Sequence, residues 1–297
     1  MISNDKRIFA LGFFDGVHRG HQVLMKECVR LAKEHHCGTA AITFDRHPSS
    51  IYNPNPPKLI STNADREILL KSYGMQEVYR LSVNERFMSL HWRQFLDYMI
   101  RHGAIGFVCG DDFHFGHKGI GNTEKLQKFC EEKGMVCHIV QEQAIDGLRI
   151  SSTHIRKLIS EGRMDDASEF LGHPHLLSGI VVPGRKLGRT IGIPTANFFI
   201  PKDVILPKIG VYSCLCTLQG KTYAAVTDIG NRPTVGGEQI RAETWILGFD
   251  GDLYGQTITL EVYEYLRPEQ KFDSLEDLKA QILKDAGRAR RLLRSRY

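Results

Sequence analysis

Glycines and two histidines crowd one stretch near the beginning of the chain. Residues 8–11 are apolar, residues 12–21 read Gly-Phe-Phe-Asp-Gly-Val-His-Arg-Gly-His, and a helical pattern follows from Gln22. A strand, a tight turn and a helix in this order offer an anion unpaired backbone N–H groups and the positive end of a helix dipole. His18 and His21 lie three residues apart, so both imidazoles can face that anion. The turn predicts a phosphate site. The alternative is an ordinary turn with two solvent-exposed histidines.

Metal binding is a second alternative for the two histidines. Imidazole nitrogens are common metal ligands, but no HExxH pattern follows them and the sequence offers no third ligand nearby. The phosphate interpretation is therefore favoured over the metal interpretation.

Two further polar stretches could serve the same site. Residues 151–156, Ser-Ser-Thr-His-Ile-Arg, begin a helical pattern, and their hydroxyl groups could cap the helix or bind phosphate, with Arg156 as the cation. Residues 110–116, Gly-Asp-Asp-Phe-His-Phe-Gly, follow the apolar segment 105–109. Their carboxylates and aromatic rings could hydrogen-bond to a ring system and stack on it. The alternative for this loop is a polar surface turn with one buried Phe.

A second phosphate candidate lies in the other half of the chain. Residues 184–197 bring together glycines, three cations, a hydroxyl and an amide. No Walker A motif is present, because Leu215 stands where the first glycine would precede the Gly-Lys-Thr of residues 220–222. A kinase built on this sequence would use a different phosphate cradle. The alternative is a surface hairpin.

The elements that must position the first set of residues alternate between strand and helix. This alternation predicts a parallel sheet covered on both faces, in which ligands bind at the carboxyl ends of the strands. The turn at residues 12–21, the polar strand end at 45–48 and the loop at 110–116 all fall at such ends. The predicted strands cover residues 8–11, 39–44, 77–81, 105–109 and 135–140, and the predicted helices begin at residues 22, 63, 89 and 123.

The second half of the chain has a different pattern. Short segments with alternating polarity, separated by Gly, Pro and Asp, predict an antiparallel sheet or a small closed barrel. Residues 161–177 are interpreted as a short linker and residues 250–252 as a hairpin turn. Ser274-x-x-Asp277 begins a final helix whose last turns are rich in arginine. That arginine run is typical of a solvated helix end, with a nucleic-acid site as the alternative.

Composition narrows the class of protein. A length of 297 residues predicts two domains, and the division is placed between residues 172 and 173. The net charge of +5 suits anionic small molecules as well as nucleic acid, so it excludes neither. Seven cysteines without a CxxC pair, no signal-like N-terminus and no apolar segment of about 20 residues lead us to expect a cytoplasmic protein with reduced thiols.

Four motifs of the first half, in this order, resemble a known family. GFFDGVHRGHQ, TFDRHP, GDDFHFG and ISSTHIR are similar to the nucleotidylyltransferase half of prokaryotic bifunctional riboflavin kinase/FMN adenylyltransferases. The resemblance implies a Rossmann-like α/β domain, with His18, His21 and Arg156 as catalytic residues. It also implies that Asp112, Phe44 and His47 position the flavin and the other reactants. The implied ATP site comprises Gly12, Phe14, Asp15, Gly16, His18, Gly20, His21, Ser151, Ser152, Thr153 and Arg156.

The second half resembles the riboflavin kinase half of the same family. The matching sequence segments are GRKLGRTIGIPTANF, GVY, IGNRPTVGG, AETWILGFDGDLYGQ and LRPEQKFDSLEDLKAQI. The resemblance implies that Glu243 is the base for the riboflavin hydroxyl and that Arg267 and Phe272 line the flavin site. Thr195 and Asn197 would bind Mg²⁺ with ATP. The implied ATP site comprises Gly184, Gly188, Gly192, Thr195 and Asn197.

The sequence departs from the family pattern at several positions. His154 stands where many relatives carry Arg, Trp245 and Gly248 replace a His and an Asp, and Arg185-Lys186 replaces part of a His-Gly-Asp sequence. These departures bear on substrate geometry and rate rather than on the type of reaction.

The resemblance implies a two-step enzyme of flavin cofactor synthesis. Riboflavin, FMN, FAD and ATP would be its substrates or products and Mg²⁺ its metal, without a nucleic-acid or membrane partner and with weak self-association left open. One alternative is a flavin- or nucleotide-sensing module without turnover, whose basic C-terminal helix binds RNA. Another is a transferase with a different acceptor, such as a pantetheine- or cytidylyl-type enzyme.

Overall fold

Two compact units make up the chain. The computed structural model describes residues 6–184, 188, 191–234 and 237–296, without the side chains of residues 232–234 and 237–239. Contacts between Cα atoms assign Met1–Leu59 and Arg66–Ser152 to the first unit, and Ile60–Asp65 and Thr153–Tyr297 to the second. The predicted boundary between residues 172 and 173 stays a prediction.

The first unit is built on a parallel five-stranded sheet in the order β3-β2-β1-β4-β5, as predicted. All five residues of its central strand β1 are buried, as expected for a strand covered on both faces. On one face, Phe9 and Phe107 pack in a cluster with Phe95 and Phe129 from two helices. The strands are β1 (Arg7–Leu11), β2 (Gly38–Phe44), β3 (Glu77–Leu81), β4 (Ala104–Gly110) and β5 (Val136–Val140).

Helices connect these strands. They are α1 (Arg19–Glu34), α2 (Asn63–Ser72), α3 (Glu85–Met88), α4 (Trp92–Arg101) and α5 (Thr123–Lys133), and α2 begins in the short segment that is assigned to the second unit. Helix α1 begins three residues earlier than predicted, because the His18 side chain accepts a hydrogen bond from the His21 backbone N–H and caps it. A two-stranded hairpin follows β5, formed by β6 (Ala144–Ile145) and β7 (Leu148–Arg149).

The second unit is built on an antiparallel sheet in the order β8-β13-β10-β11-β12-β9. A bridge between Val182 and Asn197 brings the chain after β8 to β9, so the sheet curls into a nearly closed barrel. The predicted barrel-like architecture is confirmed. The strands are β8 (His175–Ile180), β9 (Ala196–Phe199), β10 (Gly210–Leu218), β11 (Lys221–Thr234), β12 (Gly237–Ile246) and β13 (Thr257–Arg267).

Three helices belong wholly or mostly to the second unit. They are α6 (Ser152–Glu161), α7 (Met164–Leu171) and α8 (Leu275–Leu293). Met164 of α7 is buried in the barrel core. Ala286, Ala289 and Leu293 of α8 pack on the outer face of the sheet. As predicted, Ser274 caps α8 by accepting a hydrogen bond from the Asp277 backbone N–H.

Two predicted connections are wrong. The supposed linker at residues 161–177 contains α7, which has two acidic residues in its first turn and ends at Gly172 in a left-handed conformation. Residues 250–252 do not form a hairpin turn, because β12 pairs with β11 and β9 rather than with the following strand β13.

Within the part of the chain that the structure describes, no helix combines the length and the apolar character needed to cross a membrane.

Candidate active sites

A cavity of about 320 Å³ opens where β1, β4 and β5 end in the first unit. The turn after β1, the loop after β4 and the segment that leads into α6 line it. These are carboxyl ends of parallel strands, where the sequence predicted a ligand site. The structure brings together eight of the predicted residues here: Gly12, Phe14, His18, Gly20, His21, Asp112, Ser151 and Ser152.

The two histidine rings are stacked at the N-terminus of α1. Their centroids lie 3.6 Å apart, and the edge of Phe14 meets the His21 ring at 5.2 Å. The pKa of His21 is held well below its usual value of 6.5. Burial is the largest cause, followed by the charges of His18 and Arg66. His21 is therefore neutral at physiological pH. Its buried Nδ1 has no hydrogen-bond partner among the described residues.

The turn that carries the histidines has a tight backbone. Phe14 and Val17 adopt left-handed conformations with φ of 56° and 41°, which non-glycine residues rarely do. A Cβ atom on Gly12 would lie 2.6 Å from the Phe14 ring, so only glycine fits there. Strain of this kind persists when surrounding contacts fix the backbone, and it occurs often at ligand sites.

Four predicted residues of the first unit do not line this cavity. Asp15 is 1% exposed, with an oxygen 4.0 Å from a nitrogen of Arg66, and Gly16 is buried beside it. The rings of Phe44 and His47 pack against Phe13, at centroid distances of 6.3 Å and 5.2 Å, and Phe13 itself lines the cavity. These residues form a layer behind the cavity wall.

Thr153 and Arg156 lie in the part of α6 that is assigned to the second unit. Their contribution to the ATP site stays a prediction.

Asp112 lies in an ion-pair network at the rim of the cavity. Arg149 Nη2 donates to Asp112 Oδ2 at 2.8 Å, and Arg149 Nε lies 2.7 Å from Glu142 Oε1. Arg149 was not among the site residues predicted from the sequence. Its position directly before the Ile150–Arg156 motif was the available signal.

Two cavities meet at Thr195 in the second unit. One has a volume of about 350 Å³ and is lined by Gly188, Glu243, Arg267 and Phe272, and the other has about 490 Å³ and is lined by Gly192. Thr195 lines both, and its hydroxyl donates a hydrogen bond of 2.8 Å to Glu243 Oε1. The predicted base and the predicted nucleotide-binding threonine are therefore in direct contact.

Asn197 is held beside this pair by strand register. It lies opposite Glu243 across β9 and β12, and its Nδ2 lies 3.3 Å from both the carbonyl and the hydroxyl oxygen of Thr195. Asn197 is 4% exposed, and its Oδ1 has no hydrogen-bond partner within the described part of the chain. A Cβ on Gly184 would lie 2.8 Å from Asn197 Nδ2, so a larger residue there would force the Asn197 amide to shift.

Arg267 and Phe272 form one wall of the smaller cavity. The Arg267 guanidinium lies 5.8 Å from the centre of the Phe272 ring, and its Nε donates to Asp285 Oδ2 at 2.8 Å. Asp228 faces the same cavity directly opposite Glu243 on the neighbouring strand. Asp228 was not predicted from the sequence, because only strand pairing brings it to the site. At Arg185 and Lys186 the sequence departs from the family pattern, and these two residues lie outside the described part of the chain.

Comparisons with known proteins match both halves. A family model described as FAD synthetase matches residues 2–154, and one described as riboflavin kinase matches residues 171–293. A bifunctional riboflavin kinase/FMN adenylyltransferase of Listeria monocytogenes is 35% identical over 283 residues, covering 94% of this chain and 90% of the relative. The protein of the same description from Escherichia coli strain K12 is 34% identical over 287 residues, covering 95% and 91%.

A solved structure is also similar along the whole chain. It comes from Streptococcus pneumoniae and is described as a macrolide-efflux protein. It superposes with a TM-score of 0.85 at 32% identity and covers 97% of this chain and 95% of its own. Its description concerns that protein, whereas the matched families and the relatives similar in sequence agree with one another. The chain belongs to the family of bifunctional riboflavin kinase/FMN adenylyltransferases.

Proposed function

We propose that the second unit phosphorylates riboflavin with ATP, giving FMN and ADP. The first unit then transfers AMP from a second ATP to FMN, giving FAD and pyrophosphate. Family membership supports both steps. The observation that carries the kinase assignment is the hydrogen bond between Thr195 and Glu243 where two cavities meet. It puts a carboxylate at the junction between a space for a nucleotide and a space for an acceptor.

Glu243 is the general base of the proposed kinase step. An alcohol has a pKa far above neutrality, so its proton must be accepted as its oxygen attacks. The riboflavin hydroxyl oxygen forms a bond to the γ-phosphorus of ATP, the bond to the ADP oxygen breaks, and Glu243 takes the proton. We assign the flavin to the smaller cavity, where Phe272 offers a ring face, and ATP to the larger cavity beside Gly192.

Thr195 and Asn197 would hold Mg²⁺ in this site. The residues fit the ion, because Asn197 Oδ1 is a buried oxygen acceptor without a hydrogen-bond partner in the described part of the chain, and Mg²⁺ prefers oxygen ligands. The Thr195 hydroxyl donates its proton to Glu243 and accepts from Asn197 Nδ2, which leaves one lone pair to act as a second oxygen donor. Bound Mg²⁺ would neutralise charge on the ATP phosphates.

The proposed adenylyl transfer needs alignment and electrostatic support but no side-chain nucleophile. A phosphate oxygen of FMN attacks the α-phosphorus of ATP, and pyrophosphate leaves. His18, His21 and the N-terminus of α1 bind the ATP phosphates in this proposal, with neutral His21 as a hydrogen-bond donor rather than a cation. The Ser151 and Ser152 hydroxyl groups line the same cavity, and Ser152 Oγ lies 3.3 Å from the Asp15 carbonyl oxygen.

One incubation tests the whole proposal. The purified chain is mixed with riboflavin and Mg-ATP, and the flavins are separated by chromatography over time. We expect FMN to form first and FAD to follow. FMN that never becomes FAD would contradict the adenylyltransferase assignment. A folded protein that forms no phosphorylated flavin would overturn the proposal and favour the sensing module.

We also propose that the chain acts in the cytoplasm. All seven cysteines are free thiols, which is typical of a reducing compartment. The proposal includes neither a nucleic-acid nor a membrane partner, and weak self-association stays an alternative to a monomer.

A further inference from the structure

A buried arginine lies behind the cavity of the first unit. Arg66, on α2, is 1% exposed. Its Nη1 donates to the Phe44 carbonyl oxygen at 2.8 Å and to Thr43 Oγ1 at 3.1 Å. A buried cation is costly unless its hydrogen bonds are satisfied, so its contacts matter to the fold around it.

Arg66 contacts the glycine-rich turn in three ways. Its guanidinium carbon lies 4.4 Å from the centre of the Phe13 ring, and its Nη2 lies 4.0 Å from Asp15 Oδ1. The third contact is indirect, because the Thr43 hydroxyl that accepts from Arg66 donates to the Phe13 carbonyl oxygen at 2.7 Å. One side chain therefore joins the end of β2 to the residues that shape the strained turn.

The Arg66 charge also acts on His21. It is one of the three causes of the lowered pKa of His21, after burial and the neighbouring His18. The charged and titratable groups around His21 are His18 on the same helix, Arg66 and Asp15 behind it, and those that line the cavity. The last group comprises Asp111, Asp112, His114, Glu142 and Arg149.

We propose that Arg66 is a positioning residue of the FMN adenylyltransferase site. It fixes the Phe13–Asp15 part of the turn, and so the ring of His21, without touching the substrates. The proposal rests on the function proposed above. It assigns a role in the chemistry to a residue that the sequence motifs do not contain.

Two substitutions distinguish the contribution of the Arg66 charge from that of the planar arrangement of its N–H donors. Arg66→Lys keeps the charge but not the paired geometry, and Arg66→Met removes both. Arg30→Met is the matched control, because Arg30 lies on the exposed side of α1 and pairs only with surface carboxylates in the contacts seen. Riboflavin kinase activity, measured on the same chain, reports whether the second unit of each variant is folded, and the amide NMR spectrum reports whether the first unit is folded.

We expect kcat/KM for adenylylation of FMN to fall about 10-fold in Arg66→Lys and about 100-fold in Arg66→Met, with kinase activity within twofold of the wild type. NMR titration of the His21 ring should give a low pKa in the wild type and in Arg66→Lys, and a higher one in Arg66→Met. Loss of packing alone would not separate Lys from Met in this way. If kcat/KM for adenylylation of FMN in both Arg66 variants equals that of the control Arg30→Met, the proposal is overturned.

A double variant keeps the test decisive if Arg66→Met unfolds because Asp15 is left buried without its cation. Asp15→Asn/Arg66→Met removes both charges. Under the proposal it folds and adenylylates FMN more poorly than Asp15→Asn alone, which is the control for the loss of a residue of the implied ATP site. Adenylylation restored to the wild-type level would mean that Arg66 only balances Asp15, and the proposal would be wrong. Wild-type protein that makes no FAD at all would instead contradict the proposed function.

Discussion

The carboxylate of Glu243 has only one role in the proposed chemistry, and its surroundings suit that role. It accepts a hydrogen bond from Thr195 and faces the cavity assigned to riboflavin. A base that already faces the cavity assigned to the acceptor needs little reorganisation when the hydroxyl oxygen attacks.

Glu243→Gln keeps the size of the side chain but removes the base. We expect kcat for riboflavin phosphorylation to fall about 10²- to 10⁴-fold, while adenylylation of added FMN stays unchanged. Glu276→Gln, at an exposed position in the first turn of α8, is the matched control. A kinase rate in Glu243→Gln equal to that of the control would exclude Glu243 as the base.

His175 makes folding sensitive to acid. It is 1% exposed, and neither ring nitrogen has a hydrogen-bond partner among the described residues. Burial and the neighbouring His173 lower the pKa of His175 from 6.5 to about 3. The unfolded chain binds this proton more readily, so the stabilisation is fully present above pH 6.5 and is lost as the pH falls from 6.5 towards 3.

His175→Leu should remove this acid sensitivity. The free energy of unfolding of the wild type should fall by about 1 kcal/mol more than that of the variant between pH 7.5 and 5.5, measured by urea denaturation at both values. His138→Leu, at an exposed histidine of β5, should leave the wild-type pH dependence largely unchanged. An equal loss in His175→Leu and the wild type would contradict the assignment.

At the scale of elements, register rather than sequence spacing assembles the kinase site. Asp228, Glu243 and Asn197 come from three strands and are brought into line by the pairing of β11, β12 and β9. A glycine at the edge of this arrangement leaves room for the side chains, because Gly184 packs against the Asn197 amide. Gly287 in α8 differs, since a Cβ there would have as its nearest neighbour the end of the Arg291 side chain, 3.8 Å away.

Replacing Gly184 or Gly287 with alanine should have different effects. Gly184→Ala would displace Asn197 and should raise KM for ATP in the kinase reaction at least about 10-fold. Gly287→Ala should leave both activities unchanged and raise the free energy of unfolding by about 0.5–1 kcal/mol, because alanine favours a helix. Steady-state kinetics and urea denaturation measure the two effects. Unchanged KM in Gly184→Ala would mean that Asn197 does not take part in binding the nucleotide.

The sequence predicted those elements whose pattern is local. Alternating apolar segments predicted the parallel sheet, and the glycine-histidine turn predicted the first cavity, because strand, turn and helix follow one another directly. Helix α7 was missed because its Asp and Gly residues were interpreted as a linker. Arg66 and Asp228 were missed because they reach their sites through packing and strand pairing between segments far apart in sequence, which no spacing records.

At the scale of the whole molecule, the second unit includes more than the C-terminal half of the chain. Met164 of α7 is 2% exposed in the barrel core, and Asp65, from the segment Ile60–Asp65, accepts a hydrogen bond from the Ser178 hydroxyl of β8. A fragment that begins at residue 173 would lack both residues, and one that begins at residue 153 would lack only Asp65.

Fragments 153–297 and 173–297 test the predicted domain boundary. We expect the longer fragment to be more stable by about 2–5 kcal/mol, because it keeps the buried side chain of Met164. It should also retain more riboflavin kinase activity. Urea denaturation and the phosphorylation assay measure the difference. Equal stability and activity would support a boundary between residues 172 and 173.

The position of Thr195 has a thermodynamic consequence for the affinities of the two proposed substrates. One hydroxyl carries one proton, and in the free protein it is donated to Glu243. A ligand that engages Thr195 from the nucleotide cavity changes the hydrogen bonding of the carboxylate that faces the other cavity. Under the proposed assignment of the two cavities, the two dissociation constants are linked, and each substrate is expected to change the affinity for the other by the same factor. A single side chain is thus enough to make neighbouring cavities heterotropically coupled.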